Sequence, residues 1–201
     1  MLKVGITGGI GSGKTTVCKL FEALQVPIYY ADDRAKWLMQ NDSELMDGLR
    51  EAFGSEVYTG AGLLNRAYLA EIVFNDSEKL GILNGLVHPA VHRDNEEWQA
   101  AQAELGSVYT LKEAALLYES GANFSLDKII VVSAPLEARI ARVMQRDNCA
   151  RQAVLARIDK QMPQSDKENM ADFVVVNENQ DALALQVQRL HEKLLKLAQR
   201  A

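Results

Sequence analysis

The tightest constraint on this chain is the octet Gly8-Gly9-Ile10-Gly11-Ser12-Gly13-Lys14-Thr15, which matches G-x-x-x-x-G-K-[ST] at every fixed position. Glycines there let the backbone take positive φ and wrap its N–H groups around phosphate oxygens, where side chains would collide. A lysine and a hydroxyl follow at fixed spacing, suited to the β- and γ-phosphates and to Mg²⁺. Such a loop belongs between a strand and a helix, whose N-terminus adds unsatisfied N–H groups and the positive end of a dipole. The flanks comply. Residues 2–7 are short, apolar and β-compatible, and Val17, Leu20, Phe21 and Leu24 recur at helical spacing.

Pro27 opens a second short strand over 28–31, ending at Asp32-Asp33, a helix-capping pair. A strand–helix–strand start of this kind predicts a parallel sheet with crossover helices. From about residue 35 to 105 helical periodicity takes over, as in Leu64, Leu69, Ile72 and Val73, then Leu80, Leu83 and Leu86. Within that stretch 57–63 is Gly-rich and reads as a loop or hairpin, and His88 before Pro89 reads as a helix break. Strands resume at 108–111, 129–132 and 173–176, with helices over 136–145, 152–161 and 181–199. Ser165-Asp166-Lys167-Glu168 has the capping-box pattern. The expected organisation is an α/β core of about 1–34, 106–138 and 171–201, a helical insertion of about 35–105, and a lid of about 139–166.

Composition narrows the function classes. A chain of 201 residues is one domain, or one core with an insertion, and needs no disulfide or metal staple. With 22 basic against 27 acidic side chains, a formal charge of −5, it is a poor match for a dedicated nucleic-acid binder. Two distant cysteines, Cys18 and Cys149, form no CxxC and predict a reducing compartment. The uncharged apolar runs, such as 114–118, fall far short of a membrane span, and a glycine-rich run follows Lys3 instead of an apolar signal segment. The expectation is a cytoplasmic protein.

Gly9, Gly11, Ser12, Gly13, Lys14, Thr15 and Thr16 make up the candidate nucleotide-phosphate set, with Thr15 the candidate Mg²⁺ ligand. Val176-Asn177-Glu178-Asn179 does not supply the Asn-Lys-x-Asp that a GTPase uses to read guanine. A mechanical ATPase would show a longer chain and a hydrophobic strand ending in an acid, of which Leu116-Leu117-Tyr118-Glu119 is only a partial stand-in. A small-molecule kinase remains. Asp32 leaves the second strand at the rim where ligands of open α/β sheets bind, so it is either a general base for an acceptor hydroxyl or a helix cap. Arg139, Arg142 and Arg146 fall at i, i+3 and i+7 on one helix face, followed by Arg151 and Arg157; they are either a phosphate-gripping lid or a solvated face. Arg66, His88 and Glu119 are weaker candidates for ligand contact, and Cys18 reads as a small buried residue.

At this point the chain resembles the dephospho-CoA kinases. The resemblance rests on the run from Ile6 to Lys14, Ala31-Asp32, Asn65-Arg66 with Leu69 and Val73-Phe74, Leu86-Val87-His88-Pro89, Leu116 to Glu119, Gln145-Arg146-Asp147, and Arg157 with Gln161 as R-x-x-x-Q. It implies a P-loop kinase core like that of adenylate kinase, with a five-stranded parallel sheet flanked by helices, a helical substrate-binding insertion and a helical lid. It further implies ATP-dependent phosphorylation of the ribose 3′-hydroxyl of dephospho-CoA, with ATP and Mg²⁺ required and neither nucleic acid nor membrane as partner. Carried over, Asp32 would be the base and Lys14 and Thr15 would handle phosphates and Mg²⁺. Arg142 and Arg146 would close from the lid, and Arg66, His88 and Glu119 would lie on the acceptor side. The rival readings are another nucleotide or small-metabolite P-loop kinase, and a nucleotide-dependent binding switch. Two departures stand out: Tyr30 where the family often has Asp, and Ala115 where Pro is common.

Overall fold

Strand β1 (Leu2–Thr7) is buried along nearly its whole length apart from Lys3, as befits a strand covered on both faces. In the computed structural model, which describes residues 1–74 and 76–199, β1 lies at the centre of a five-stranded sheet. With β2 (Ile28–Tyr30), β3 (Tyr109–Glu113), β4 (Lys128–Ser133) and β5 (Phe173–Val176), the order is β2-β3-β1-β4-β5, and every pairing is parallel. The expected five-stranded parallel core is therefore the observed one. Helix α1 (Lys14–Ala23) contributes Val17 and Phe21, and α9 (Gln180–Ala198) contributes Leu183, Val187 and Leu194, to a core with Val4, Ile6, Leu111 and Ile130. Helices α6 (Leu136–Asp147) and α7 (Arg151–Ile158) share a smaller cluster of Ile140, Val143 and Val154. The short α8 (Gln164–Asn169) precedes β5. Because the connections from β1 and to β4 lead to opposite sides of β1, its carboxyl end is the crevice where such sheets bind ligands.

The chain divides into two compact units, Met1–Tyr30 with Gln99–Ala201, and Ala31–Trp98. The second comprises α2 (Ala31–Asn41), α3 (Ser43–Phe53), α4 (Arg66–Phe74) and most of α5 (Ser77–Glu104). Leu38, Leu45, Leu49, Phe53, Val57, Leu69, Val87 and Ala90 form its core. Asp42 caps α3 by accepting from the Leu45 N–H at 2.9 Å, and Arg34 is ion-paired with Asp94. Between α3 and α4 a single turn at Ser55–Val57 is followed by an isolated antiparallel bridge between Tyr58 and Leu64, in the segment expected to be a loop or hairpin.

Four local expectations are corrected. Strand β3 runs on to Glu113 instead of stopping at 111, because Lys112 lies over the Tyr29 ring at 6.0 Å and Glu113 faces Lys14, so both charges have partners at the strand end. Helix α2 starts at Ala31, straight after β2, so Asp32 and Asp33 occupy its first turn and favour its dipole instead of capping it. Helix α8 is preceded by Pro163, whose side chain offers no cap, so Ser165 is inside the helix. Most consequentially, α5 passes through Pro89 without a break. The ring removes one backbone hydrogen bond, but Val87 and Ala90 on either side are buried in the second core, and packing outweighs the local preference. Among the described residues no helix is long and apolar enough to cross a membrane.

Pro89 is itself exposed, so Pro89→Ala restores a backbone donor and removes no core contact. It should raise the unfolding free energy by about 1–3 kcal/mol, measured by urea denaturation. A loss of stability would show that the ring makes a contact worth more than the hydrogen bond.

Candidate active site

The loop between β1 and α1 is held by its carbonyls. Gly8 O accepts from Lys14 Nζ at 3.1 Å, and Gly9 O from the Ser12 N–H at 3.0 Å. Ile10 O accepts from Arg139 Nε at 3.0 Å. Gly11 O and Ser12 O accept from Arg142 Nη1 at 3.3 and 3.4 Å, Ser12 O also from Asn177 Nδ2 at 2.8 Å, and Gly13 O from the N–H groups of Thr16 and Val17. Two amides are also committed: Gly9 N–H donates to Gln164 Oε1 at 2.9 Å and Ile10 N–H to Gln161 Oε1 at 2.8 Å. Among the described residues the N–H groups of Gly11, Gly13 and Thr15 have no acceptor in the protein, and Ser12 Oγ is buried without a partner. A backbone whose carbonyls are all engaged and whose later amides are left over is an anion cradle.

Gly11 and Gly13 show why this geometry demands glycine. Gly11 has φ 78° and Gly13 φ 92°, and a Cβ would collide with the Arg139 carbonyl at the first and with Asn177 Nδ2 at the second. Gly13 directly precedes α1 in the left-handed conformation, which turns the helix N-terminus toward the cradle.

Lys14 Nζ lies 3.8 Å from Glu113 Oε1. Glu113 is buried and ends the strand next to β1, paired in register with Ile6; it is the strand-terminal acid that the sequence seemed to lack. Thr15 and Thr16 are exposed at the start of α1. Cys18, one helical turn further, is buried, and desolvation, with the Glu113 charge adding, pushes its thiol well above the ordinary value; it is an inert packing residue. Among the described residues no cluster of three or more His, Cys, Asp or Glu could hold a metal by itself.

The arginines of α6 divide by depth. Arg139 is buried, and burial holds its pKa below the ordinary arginine value against the opposing charge of Glu168. Arg142 is half-buried and its Nη2 also donates to Asn177 O at 3.0 Å. Arg146 lies outside, pairing with Asp147 at 2.7 Å, which Arg157 also engages at 2.6 Å; those two hydrogen bonds bring the Asp147 carboxyl down to about 2. Glu119 accepts from the Met162 N–H at 2.9 Å and pairs at 2.7 Å with Lys167, a fully buried ammonium that also donates to Ala115 O. Asp32, Arg66 and His88 belong to the second unit. All three are exposed, Asp32 in the first turn of α2, Arg66 opening α4 and His88 within α5. The structure thus gathers the phosphate-loop set, Lys14 and Arg142 with Glu113, Arg139, Asn177, Gln161 and Gln164. Of these additions only Gln161 had a motif, R-x-x-x-Q, and Arg139 a periodic position.

A phosphate loop that leaves the central strand of a β2-β3-β1-β4-β5 sheet, with its lysine beside the acid of the neighbouring strand, defines a P-loop phosphotransferase of the kinase type. Sequence comparison narrows the class. The family model for dephospho-CoA kinase matches residues 2–182, and the chain belongs to that family. The dephospho-CoA kinase of Salinibacter ruber is 41% identical over 178 residues, 89% of this chain and 89% of its own length. That of Chlorobium chlorochromatii is 38% identical over 202 residues, covering 98% of this chain and 95% of its own. Among solved structures, a Thermus thermophilus protein superposes with a TM-score of 0.84 at 34% identity over 96% of each chain. Dephospho-CoA kinase from Campylobacter jejuni does so with 0.72 at 27% identity, over 96% of this chain and 97% of its own.

The Glu119–Lys167 pair yields a pH prediction. Burial raises the Glu119 carboxyl, but the Lys167 hydrogen bond and the Met162 N–H outweigh it and hold its pKa below 4.5. A lowered folded-state pKa gives stability that is complete above the ordinary value and lost as pH falls through the lowered one. Glu119→Ala leaves the Lys167 ammonium buried and unpaired, and should cost about 3 kcal/mol at pH 7. Denaturation curves should show the gap to wild type closing below about pH 4; a gap independent of pH would remove the ion pair as its cause.

Proposed function

We propose that this protein transfers the γ-phosphoryl group of ATP to the ribose 3′-hydroxyl of dephospho-CoA, releasing coenzyme A and ADP. The observation that carries this reading is the phosphate loop itself, carbonyls engaged and later amides left over beside Lys14, in a chain of the dephospho-CoA kinase family. The N–H groups of Gly11, Gly13 and Thr15 and the ammonium of Lys14 meet the phosphate oxygens, and the unpartnered Ser12 hydroxyl suits an anion in the same cradle. Thr15 and Glu113 offer the hard oxygen donors that suit Mg²⁺; when bound, the ion would neutralise charge on the β- and γ-phosphates.

The acceptor oxygen attacks the γ-phosphorus, the bond from that phosphorus to the β–γ bridging oxygen breaks, and the hydroxyl proton passes to Asp32. Asp32 suits the role because it is an exposed carboxylate two residues beyond the carboxyl end of β2. Arg142 supplies fixed positive potential beside the loop. Arg146 joins the transferred phosphoryl oxygens by exchanging its surface partner Asp147. Arg66, His88 and Glu119 are assigned to the acceptor side, Glu119 by holding the segment after β3 in place through Lys167.

A coupled assay should show ADP release that depends on dephospho-CoA; turnover on nucleoside monophosphates but not on dephospho-CoA would overturn the assignment. Asp32→Asn should lower kcat by about 10²–10⁴-fold with ATP affinity and stability retained. Asp33, which pairs with Lys36 on the helix surface, is the control, and Asp33→Asn should stay within about threefold of wild type. Mild effects in both would exclude a carboxylate base at this turn.

A further inference from the structure

Residues 161–167 carry two sets of contacts, and the reaction scheme uses only the one on Glu119. On one side, Gln161 and Gln164 accept the N–H groups of Ile10 and Gly9. On the other, Met162 N–H and Lys167 hold Glu119. Gln164 is itself fixed, because its Nε2 donates to Glu168 Oε1 at 2.9 Å and to Val132 O at 3.3 Å. Neither glutamine has a titratable or nucleophilic group, so neither takes part in chemistry. Both use the carboxamide oxygen, an acceptor, on the two loop amides that precede the anion-facing ones.

We propose that Gln161 and Gln164 are positioning residues for the nucleotide. They act through the Ile10 and Gly9 amides to fix the outer turn of the phosphate loop, so that the Gly11, Gly13 and Thr15 N–H groups are already aimed when ATP arrives. The physical reason lies in the glycines. Residues 8–13 include four glycines, whose backbone is the most costly of any to order. Arg139 and Arg142 pin the loop by its carbonyls, which restrains position but leaves peptide planes able to tilt. A second hydrogen bond on the N–H side of the same turn fixes the tilt. Binding then spends less of the phosphate interaction on ordering the loop, which is preorganisation. The inference rests on the loop being the nucleotide site, and it does not depend on which acceptor is phosphorylated.

Gln161→Met keeps length and packing and removes the acceptor; Gln161→Glu keeps an acceptor oxygen. Three readouts are taken on the full chain: amide hydrogen exchange at Gly9 and Ile10, the Kd for ATP by titration calorimetry, and kcat against KM with dephospho-CoA. In Gln161→Met the Ile10 amide should exchange faster, and the Kd and KM for ATP should rise about fivefold to tenfold, the equivalent of one hydrogen bond. The kcat and the KM for the acceptor should stay within about twofold. Gln161→Glu should restore Ile10 protection, and Gln164→Met should repeat the pattern at Gly9. A Kd for ATP within twofold of wild type in Gln161→Met, whatever happens to its thermal midpoint, would overturn the proposal, as would a weaker Kd with unchanged Ile10 exchange. If wild type binds ATP yet shows no dephospho-CoA turnover, the proposed function fails while this inference is still decided by the Kd and the exchange.

Discussion

A short backbone loop can offer its amides to an anion only if its carbonyls are occupied elsewhere. Each peptide unit carries both poles, and a carbonyl facing a phosphate would repel it. Here every carbonyl from Gly8 to Gly13 has a donor, and three of the six are held by the guanidinium groups of Arg139 and Arg142. Much of the first unit is arranged around that requirement. Helix α6 lies where its arginines reach the loop, Asn177 follows β5 closely enough to reach Ser12 O, and at Gly11 and Gly13 those groups leave no room for a Cβ.

Burying charged groups for this purpose is costly. Arg139 is buried and Lys167 fully so, and isolated charges in that setting would lose several kcal/mol of hydration. Both are retained because their hydrogen-bonding capacity is met by backbone carbonyls as well as by acids: Arg139 by Ile10 O with Glu168 nearby, Lys167 by Ala115 O with Glu119. These groups hold irregular segments that have no secondary structure of their own. The apolar clusters hold the helices and strands, and the buried cations hold the loops between them.

The phosphate loop and the parallel sheet were legible in the sequence because both rest on local rules. Positive φ and close approach demand glycine at fixed positions, and doubly covered strands favour runs that are mostly apolar. What escaped depends on partners far along the chain. Arg139 meets Ile10 across 129 positions and Gln164 meets Gly9 across 155, and no periodicity or spacing encodes such a meeting. Pro89 misled because its local preference is outweighed by the burial of Val87 and Ala90, which only the folded second unit supplies. The strand expected over 108–111 runs on through Lys112 and Glu113, which are both buried and belong to β3. Asp32 could be named as a candidate but not placed, since a helix that starts directly after a strand gives no loop signal from which to count.

Tyr30 shows how the same strand ends tolerate a lost acid. Where the family often carries Asp, this chain has a phenol, and a phenol with no acceptor at a strand end would be a liability. It has one: Tyr30 Oη donates to Glu22 Oε1 at 3.0 Å, and desolvation together with that bond pushes its pKa well above the ordinary tyrosine value, so it stays neutral. Its register partner across the β2–β3 pairing is Glu113, whose carboxylate lies beside Lys14. The rim of the sheet therefore keeps negative charge next to the loop lysine even though the acid at position 30 is gone. Charge at this rim is a property of adjacent strand ends taken together, and a reading that follows one strand at a time sees a missing residue where the sheet has a neighbouring one.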